Sequence, residues 1–207
     1  MTRVSVVDYG RGNLYSIEQA LRKLGCDVEV TGDPAAILAA ERVILPGVGA
    51  FGDGMEGLRS RGLVAPLKRF SETGRPLLGI CLGMQLLLEE SSEFGRHEGL
   101  GLVPGRVSLF ARTGAFKVPH VGWNVLKPAA NWADTALAGL PTDSFMYFVH
   151  SYVAEPARPE DRLAVTPYAG AEFCSVLRSR NIHGCQFHPE KSGEVGLCLI
   201  RNWLKLN

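Results

Sequence analysis

No stretch of the chain approaches the roughly 18 uninterrupted apolar residues that a membrane span requires. Nor is there a block of Lys or Arg: basic side chains number 22 and acidic ones 21, for a formal net charge of +1. That balance excludes a general binder of nucleic acid or anionic membrane, which would carry a basic patch. The cysteines (Cys26, Cys81, Cys174, Cys185 and Cys198) are odd in number, and no two have C-x-x-C spacing. Each lies in a mainly apolar segment, which argues against a disulfide scaffold or a zinc site and for a reducing cytoplasm. The histidines are scattered without metal-ligand spacing, so neither a metal nor a cofactor is expected. Met1 to Asp8 has too short an apolar part for a signal peptide and reads as a first strand. Internal repeats, low-complexity tracts and flexible linkers are also missing, which at 207 residues favours a single domain over 1–207.

What is present alternates strand and helix through the first half. Arg3 to Asp8 is an apolar strand followed by the loop Asp8-Tyr9-Gly10-Arg11-Gly12. Asn13 can cap a helix whose apolar face is Leu14, Ile17, Leu21 and Leu24, closed by Gly25. Cys26 to Val30 is a second strand, and Asp33-Pro34 opens a short helix. Arg42 to Leu45 is a third strand running into a glycine-rich loop, Pro46 to Gly54. Leu63 to Thr73 is helical, and Pro76 to Ile80 is a fourth strand. Repeated β-α-β units with short loops imply a mostly parallel sheet with helices on both faces. Ligands in such folds bind beyond the C-terminal strand ends, where the loops after strands one, three and four lie. From Gly99 the chain turns β-rich: Gly105 to Phe110, Phe145 to Val153, Leu163 to Thr166, Glu172 to Arg178 and Ile182 to Phe187. The last two straddle a hairpin-like connection, Ser179-Arg180-Asn181. Ser192 can cap a final helix reaching about Lys205, with Val195, Leu199 and Trp203 along one face.

The chemistry centres on Gly79-Ile80-Cys81-Leu82-Gly83, between the apolar Pro76-Leu77-Leu78 and a helix-like run, Met84 to Glu90. Strand, tight turn and helix meeting at a nucleophile form a nucleophile elbow, here with cysteine in the serine position. The tip residue is strained and the helix crosses close to the strand, so glycine two before and two after removes colliding side chains. A helix N-terminus favours thiolate over thiol. A buried structural cysteine at a glycine-containing strand end fits the pentapeptide equally well. Downstream, Gln186-Phe187-His188-Pro189-Glu190 offers a base and a carboxylate. In an extended segment residues two apart point the same way, so His188 and Glu190 can reach one site. A cysteine nucleophile needs a base to move its proton and a carboxylate to orient that base. Finally, Pro46-Gly47-Val48-Gly49 can aim backbone N–H groups at an oxyanion, with the N–H of Leu82 as a second donor.

A G-x-C-x-G elbow, a P-G-x-G loop one β-α unit upstream and a C-terminal H-P-E element together resemble the class I (triad) glutamine amidotransferases. The resemblance runs through essentially the whole chain. It implies a flavodoxin-like α/β fold with an additional β-rich C-terminal half, and glutamine as substrate. It further implies that Cys81 forms a γ-glutamyl thioester, that His188 moves the protons and that Glu190 orients His188. Val48, Gly49 and Leu82 would donate to the oxyanion, and Gly47, Gln85, Ser151 and Tyr152 would contact bound glutamine. The segments Asp8 to Asn13, Pro46 to Phe51, Pro119-His120-Val121-Gly122-Trp123-Asn124 and Tyr147 to Tyr152 resemble one branch of that family. In that branch the ammonia is used by a separate (β/α)8-barrel cyclase subunit, implying a heterodimer. Trp123 and Lys191 neighbour the site and are candidates for the docking face; a core tryptophan and a solvated lysine are equally compatible with their surroundings.

Other readings remain at this level. The glutaminase of another synthase shares the same elbow and triad. Gly10-x-Gly12-x-x-Tyr15, with Glu29 beyond, nearly spells a dinucleotide fingerprint, but bulky Tyr15 stands where the third glycine belongs. A cysteine peptidase on a similar scaffold fits the elbow too, because the elbow does not choose among acyl substrates. A non-catalytic subunit is opposed by the presence of all three triad residues.

Overall fold

Five parallel strands set the frame. The computed structural model describes residues 1–110 and 117–206. In chain order the first half runs β1 (Arg3–Val7), α1 (Leu14–Lys23), β2 (Asp27–Thr31), α2 (Pro34–Ala39), β3 (Arg42–Leu45), α3 (Phe51–Ser60), α4 (Val64–Glu72), β4 (Leu77–Ile80) and α5 (Leu82–Leu86). The second half adds β5 (Glu90–Ser91), β6 (His97–Glu98), β7 (Gly105–Leu109), β8 (His120–Val125), β9 (Lys127–Pro128), β10 (Phe145–His150), β11 (Tyr152–Pro156), β12 (Arg162–Tyr168), β13 (Ala171–Ser179), β14 (Ile182–Cys185) and α6 (Gly193–Trp203). The main sheet is eight-stranded, in the order β2-β1-β3-β4-β14-β13-β12-β9. Pairings from β2 through β14 are parallel, and β13, β12 and β9 extend the sheet antiparallel. The sheet is therefore α/β and mostly parallel, as the alternating pattern leads one to expect.

Local chemistry explains the element ends. The Asn13 side chain accepts from Ser16 N and the Asp33 side chain from Ala35 N, closing the first turns of α1 and α2. Gly25, at φ +80°, ends α1 as a left-handed residue. α1 buries Ile17 and Leu21 against the sheet; each such side chain contributes roughly 1.5–3 kcal/mol. Two apolar layers result. One, on the α1 and α6 side, includes Ile17, Leu21, Ile44, Leu199 and Trp203. The other, under α3, α4 and α5, includes Ile37, Met55, Leu67, Phe70 and Leu86.

Four expectations change. The glycine-rich stretch after Ala50 is not loop but the start of α3, whose glycines allow close packing: a Cβ on Gly57 would stand 2.6 Å from the Tyr9 carbonyl oxygen. The elbow helix stops at Leu86 instead of running to Glu90. The carbonyls of Leu86, Leu87 and Leu88 accept from Leu100, Leu102 and Gly101, so a returning loop takes the place of another helical turn. The strand expected over Phe145 to Val153 breaks at Ser151 into β10 and β11. Among the described residues β10 pairs only with β8 in a two-stranded ribbon, and β11 joins a four-stranded sheet, β11-β7-β5-β6. Ser192 occupies the α6 cap position but does not cap: its hydroxyl donates to the His188 carbonyl at 2.7 Å and accepts from Tyr147 N at 3.0 Å.

Candidate active site

β4 lies between β3 and β14, and the C-terminal ends of all three converge. The Pro46 loop follows β3, Cys81 follows β4, and His188 with Glu190 follows β14. Cys81 sits at φ 55°, ψ −112°, a conformation that costs a side-chain-bearing residue about 1–3 kcal/mol and is found where the fold over-determines it. Here Cys81 N donates to the Cys185 carbonyl at 2.8 Å, and the Cys81 carbonyl accepts from Gln85 N at 3.3 Å. The flanking glycines are sterically required. A Cβ on Gly83 would lie 1.8 Å from the Leu45 carbonyl oxygen, and one on Gly79 would lie 2.7 Å from the Gly83 backbone.

The Cys81 Sγ faces three partners. The Val149 carbonyl oxygen lies 3.9 Å from it, and Gln186 Nε2 lies 3.7 Å away. The third is His188, whose Nδ1 stands 2.9 Å from Glu190 Oε1 with each side chain only 3% exposed. Extended geometry is not what joins that pair: His188 ends the extended stretch, and Pro189–Lys191 forms a 3-10 turn that folds the carboxylate back. Burial by itself would lower the imidazole pKa, but hydrogen bonding and charge from Cys81 and Glu190 outweigh it and raise the value to about 9. At neutral pH the ring is therefore an imidazolium, with Nδ1–H given to Glu190 and Nε2 left for chemistry.

A cavity of about 340 Å³ opens on the sulfur. Val48, Gly49, Leu82, Gln85, Ser151 and Tyr152 line it together with Cys81 and His188. Gly47 does not; with Glu190 and the back of His188 it borders a space of only about 10 Å³ behind the imidazole. Trp123 is 56% exposed on β8 and so is not a core residue, and Lys191 is exposed beside the triad turn.

Three further residues join the site that were not among the expected site residues, although Gln186 and His150 lie within segments already singled out. Glu93 lines the cavity and accepts from Phe51 N at 2.6 Å at the head of α3. Burial holds its carboxyl above the usual range against the opposing pull of that N–H. Gln186 is fully buried between Gln85 and Cys81. His150 lines the cavity and pairs with His120, Nδ1 of His120 standing 3.1 Å from Nε2 of His150. Burial lowers these two imidazoles to about 4 and about 3, so both are neutral. His150 Nδ1 then donates to the Tyr152 carbonyl at 2.9 Å. Among the described residues no cluster of three metal-ligating side chains occurs and no helix is long and apolar enough to cross a membrane.

A strained cysteine, a charged imidazole–carboxylate pair and a cavity beside them can form and break an acyl thioester. Comparison with known proteins agrees with that chemistry. The family model described as glutamine amidotransferase class-I matches residues 5–205. The chain is 46% identical over 213 residues to the imidazole glycerol phosphate synthase subunit HisH 1 of Legionella pneumophila (strain Lens), covering 100% of both chains. It is 46% identical over 203 residues to the HisH subunit of Symbiobacterium thermophilum, covering 98% of this chain and 93% of that one. The crystal structure of a glutamine amidotransferase superposes with a TM-score of 0.74 at 19% identity, over 97% of each chain, which speaks to the fold alone.

Proposed function

The chain belongs to the class-I glutamine amidotransferases, and from that premise we propose that it is the glutaminase subunit of an imidazole glycerol phosphate synthase, acting in histidine biosynthesis in the cytoplasm. The observation that carries the chemical part is the strained Cys81 facing an imidazolium–carboxylate pair inside a cavity of about 340 Å³. The synthase assignment rests on full-length relatives at 46% identity.

The Cys81 thiolate attacks the side-chain carbonyl carbon of glutamine. Backbone N–H groups of Leu82 and of the Val48–Gly49 segment take the negative charge that forms on oxygen. His188 gives its Nε2 proton to the departing nitrogen, releasing ammonia and leaving a γ-glutamyl thioester. The now neutral imidazole accepts a proton from water, which attacks the thioester; glutamate leaves and the thiolate–imidazolium pair returns. Glu190 holds the ring and stabilises its positive charge. Gln85, Ser151 and Tyr152 grip the substrate, and Glu93 presents a carboxylate to its α-ammonium group. Gly47 shapes the loop from behind.

The ammonia passes to a (β/α)8-barrel cyclase subunit making imidazole glycerol phosphate and aminoimidazole carboxamide ribotide. Ammonia is largely protonated near neutral pH and then no nucleophile, so a closed passage keeps it reactive. The docking face we assign is the β8–β10 ribbon. Its register places Val121 opposite Val149 and Trp123 opposite Tyr147. Val121, Trp123, Phe145 and Val149 are exposed along that side, an apolar patch of the kind that marks a partner site. Val149 also lines the glutamine cavity, so the ribbon joins the patch to the chemistry. Lys191 flanks it.

A glutamine-like electrophile such as 6-diazo-5-oxo-norleucine tests the chemistry. It is expected to label Cys81 alone, with glutamine protecting, as read by peptide mass spectrometry. Labelling of Cys174 or Cys185 instead, or no protection by glutamine, would refute the reading.

A further inference from the structure

The chain changes sheets between β10, which ends at His150, and β11, which begins at Tyr152, and side chains help hold that joint. Phe110 N donates to the Ser151 carbonyl at 2.9 Å, and Tyr152 stands opposite Leu109 as the next pair along. Hydrogen-bonded and non-hydrogen-bonded pairs alternate in an antiparallel ladder, so the Tyr152 carbonyl turns away from β7. It turns to Gln85 Nε2 at 3.1 Å and to His150 Nδ1 at 2.9 Å. His150 in turn faces His120 across the β8–β10 ribbon, where the two are register partners.

Each donor along this run of contacts is assigned by its neighbours. A carbonyl can only accept, so His150 Nδ1 carries a hydrogen, and the neutral ring leaves Nε2 as an acceptor. His120 Nδ1, 3.1 Å from that nitrogen, must then bring the next hydrogen, which leaves its own Nε2 bare. Asn124 Nδ2 lies 3.4 Å from His120 Nε2 and donates to the Pro167 carbonyl at 2.9 Å. Asn124 Oδ1 accepts from Val125 N at 2.8 Å, which fixes the orientation of the amide. The hydrogen bonds thus run one way, from Asn124 through His120 and His150 to the Tyr152 carbonyl. Stacking sets the plane of the His120 ring, with its centroid 4.0 Å from that of Tyr168 and 5.0 Å from that of Phe148. His120 is only 3% exposed, so bulk water does not make good a hydrogen bond lost there.

We infer that His120 is a positioning residue: through His150 it holds the Tyr152 carbonyl, and with it the cavity wall formed by Ser151 and Tyr152, in the place that binds glutamine. The inference rests on the glutaminase reading. His150, Ser151 and Tyr152 line the cavity, and His120 stands behind them. It supplies the hydrogen that keeps His150 in the tautomer whose Nδ1–H points at Tyr152. Without that hydrogen His150 has an unmet acceptor, and its ring is free to turn or to exchange tautomers.

The test uses the complex with its cyclase and the cyclase's nucleotide ligand. Wild-type ammonia release from glutamine is the control; its absence would refute the glutaminase reading rather than this inference. His120→Phe keeps a ring between Tyr168 and Phe148 but loses the N–H. His120→Asn loses the ring and keeps an N–H at the place of Nδ1. In His120→Phe the KM for glutamine is expected to rise about fivefold or more, the worth of a hydrogen bond, with kcat falling by less. His120→Asn is expected to return the KM to within about twofold of wild type, although its melting temperature drops further. In the free chain, labelling of Cys81 by 6-diazo-5-oxo-norleucine should slow in His120→Phe. Alkylation by iodoacetamide needs no glutamine-shaped wall and should stay within about twofold of wild type. A role in packing alone would order the variants the other way, with His120→Asn the more impaired in KM. That order, or a KM in His120→Phe within about twofold of wild type, would overturn the inference. If His120→Phe does not fold, NMR of the imidazole nitrogens in wild type decides at neutral pH. A hydrogen on Nδ1 and none on Nε2 is expected in both rings, and a hydrogen on Nε2 of His150 would overturn the inference.

Discussion

A Cβ placed on Gly47 would stand 2.3 Å from the hydroxyl oxygen of Tyr9, which itself donates to the Pro46 carbonyl at 2.8 Å. Tyr9 thus holds the Pro46–Gly49 loop from beneath, through the space that Gly47 leaves open. Gly47→Ala is expected to cost about 1–3 kcal/mol by overpacking. Part of that cost should vanish in the Tyr9→Phe background, because the clashing oxygen is gone. Gly49 differs. It sits at φ +103° with no atom within 4 Å of an added methyl, so Gly49→Ala meets only backbone strain, about 1–2 kcal/mol. A double-mutant cycle in urea checks both; additive effects for Gly47 and Tyr9 would contradict the contact.

Stability should peak near pH 6.5, where the histidines pull in opposite directions. His188 is raised to about 9, so the folded chain binds its proton more tightly than the unfolded chain. That contribution is complete below about pH 6.5 and is lost as pH rises to about 9. His120, His150 and His183 are lowered to about 4, about 3 and about 4, chiefly by burial. They are neutral when folded, and the unfolded chain takes up their protons first, so stability falls as pH drops from about 6.5 to 4. Each full proton of difference is worth about 1.4 kcal/mol per pH unit. His183→Leu should flatten the acid limb, since the buried imidazole that resists protonation when folded is replaced by a side chain that takes up no proton in either state. Glu190→Gln should flatten the alkaline limb and slow glutaminase turnover about 10²–10⁴-fold, as expected for loss of a triad carboxylate. Urea titrations across pH read both limbs; an alkaline limb unchanged in Glu190→Gln would contradict the assignment.

Trp123→Ala is expected to leave the free chain as stable as wild type to within about 0.5 kcal/mol, because the side chain is over half exposed. Affinity for the cyclase should fall by about 2 kcal/mol or more, as for a central aromatic anchor. Calorimetry of the pair measures this, and unchanged affinity would move the docking face elsewhere.

The meeting of Cys81, His188 and Glu190 and the course of the sheet were legible because their signals are local. Periodic apolar residues mark α1, and the spacing of Gly79, Cys81 and Gly83 marks a turn whose steric demand is visible in five residues. What stayed hidden depends on contacts across the chain. The glycines of α3 read as loop because only the approach of Tyr9 shows why a helix needs them. The break at Ser151 separates two sheets and leaves no mark in an uninterrupted β-rich run. Glu93 lies in no motif, and His150 lies in one without a role to mark it; their place is set by β5, β10 and the polar network around Tyr152. Gln186 sits beside the H-P-E element, yet its partners Gln85 and Cys81 stand far upstream in sequence.

The most direct measurement is ammonia release from glutamine by the chain mixed with its cyclase and the cyclase's ligand, for wild type and for Cys81→Ala. Wild type is expected to release ammonia strongly, stimulated by the cyclase, and Cys81→Ala to lose at least about 10³-fold. The variant complex should still turn over when ammonia itself is supplied. Glutamine hydrolysis that survives in Cys81→Ala would contradict the account.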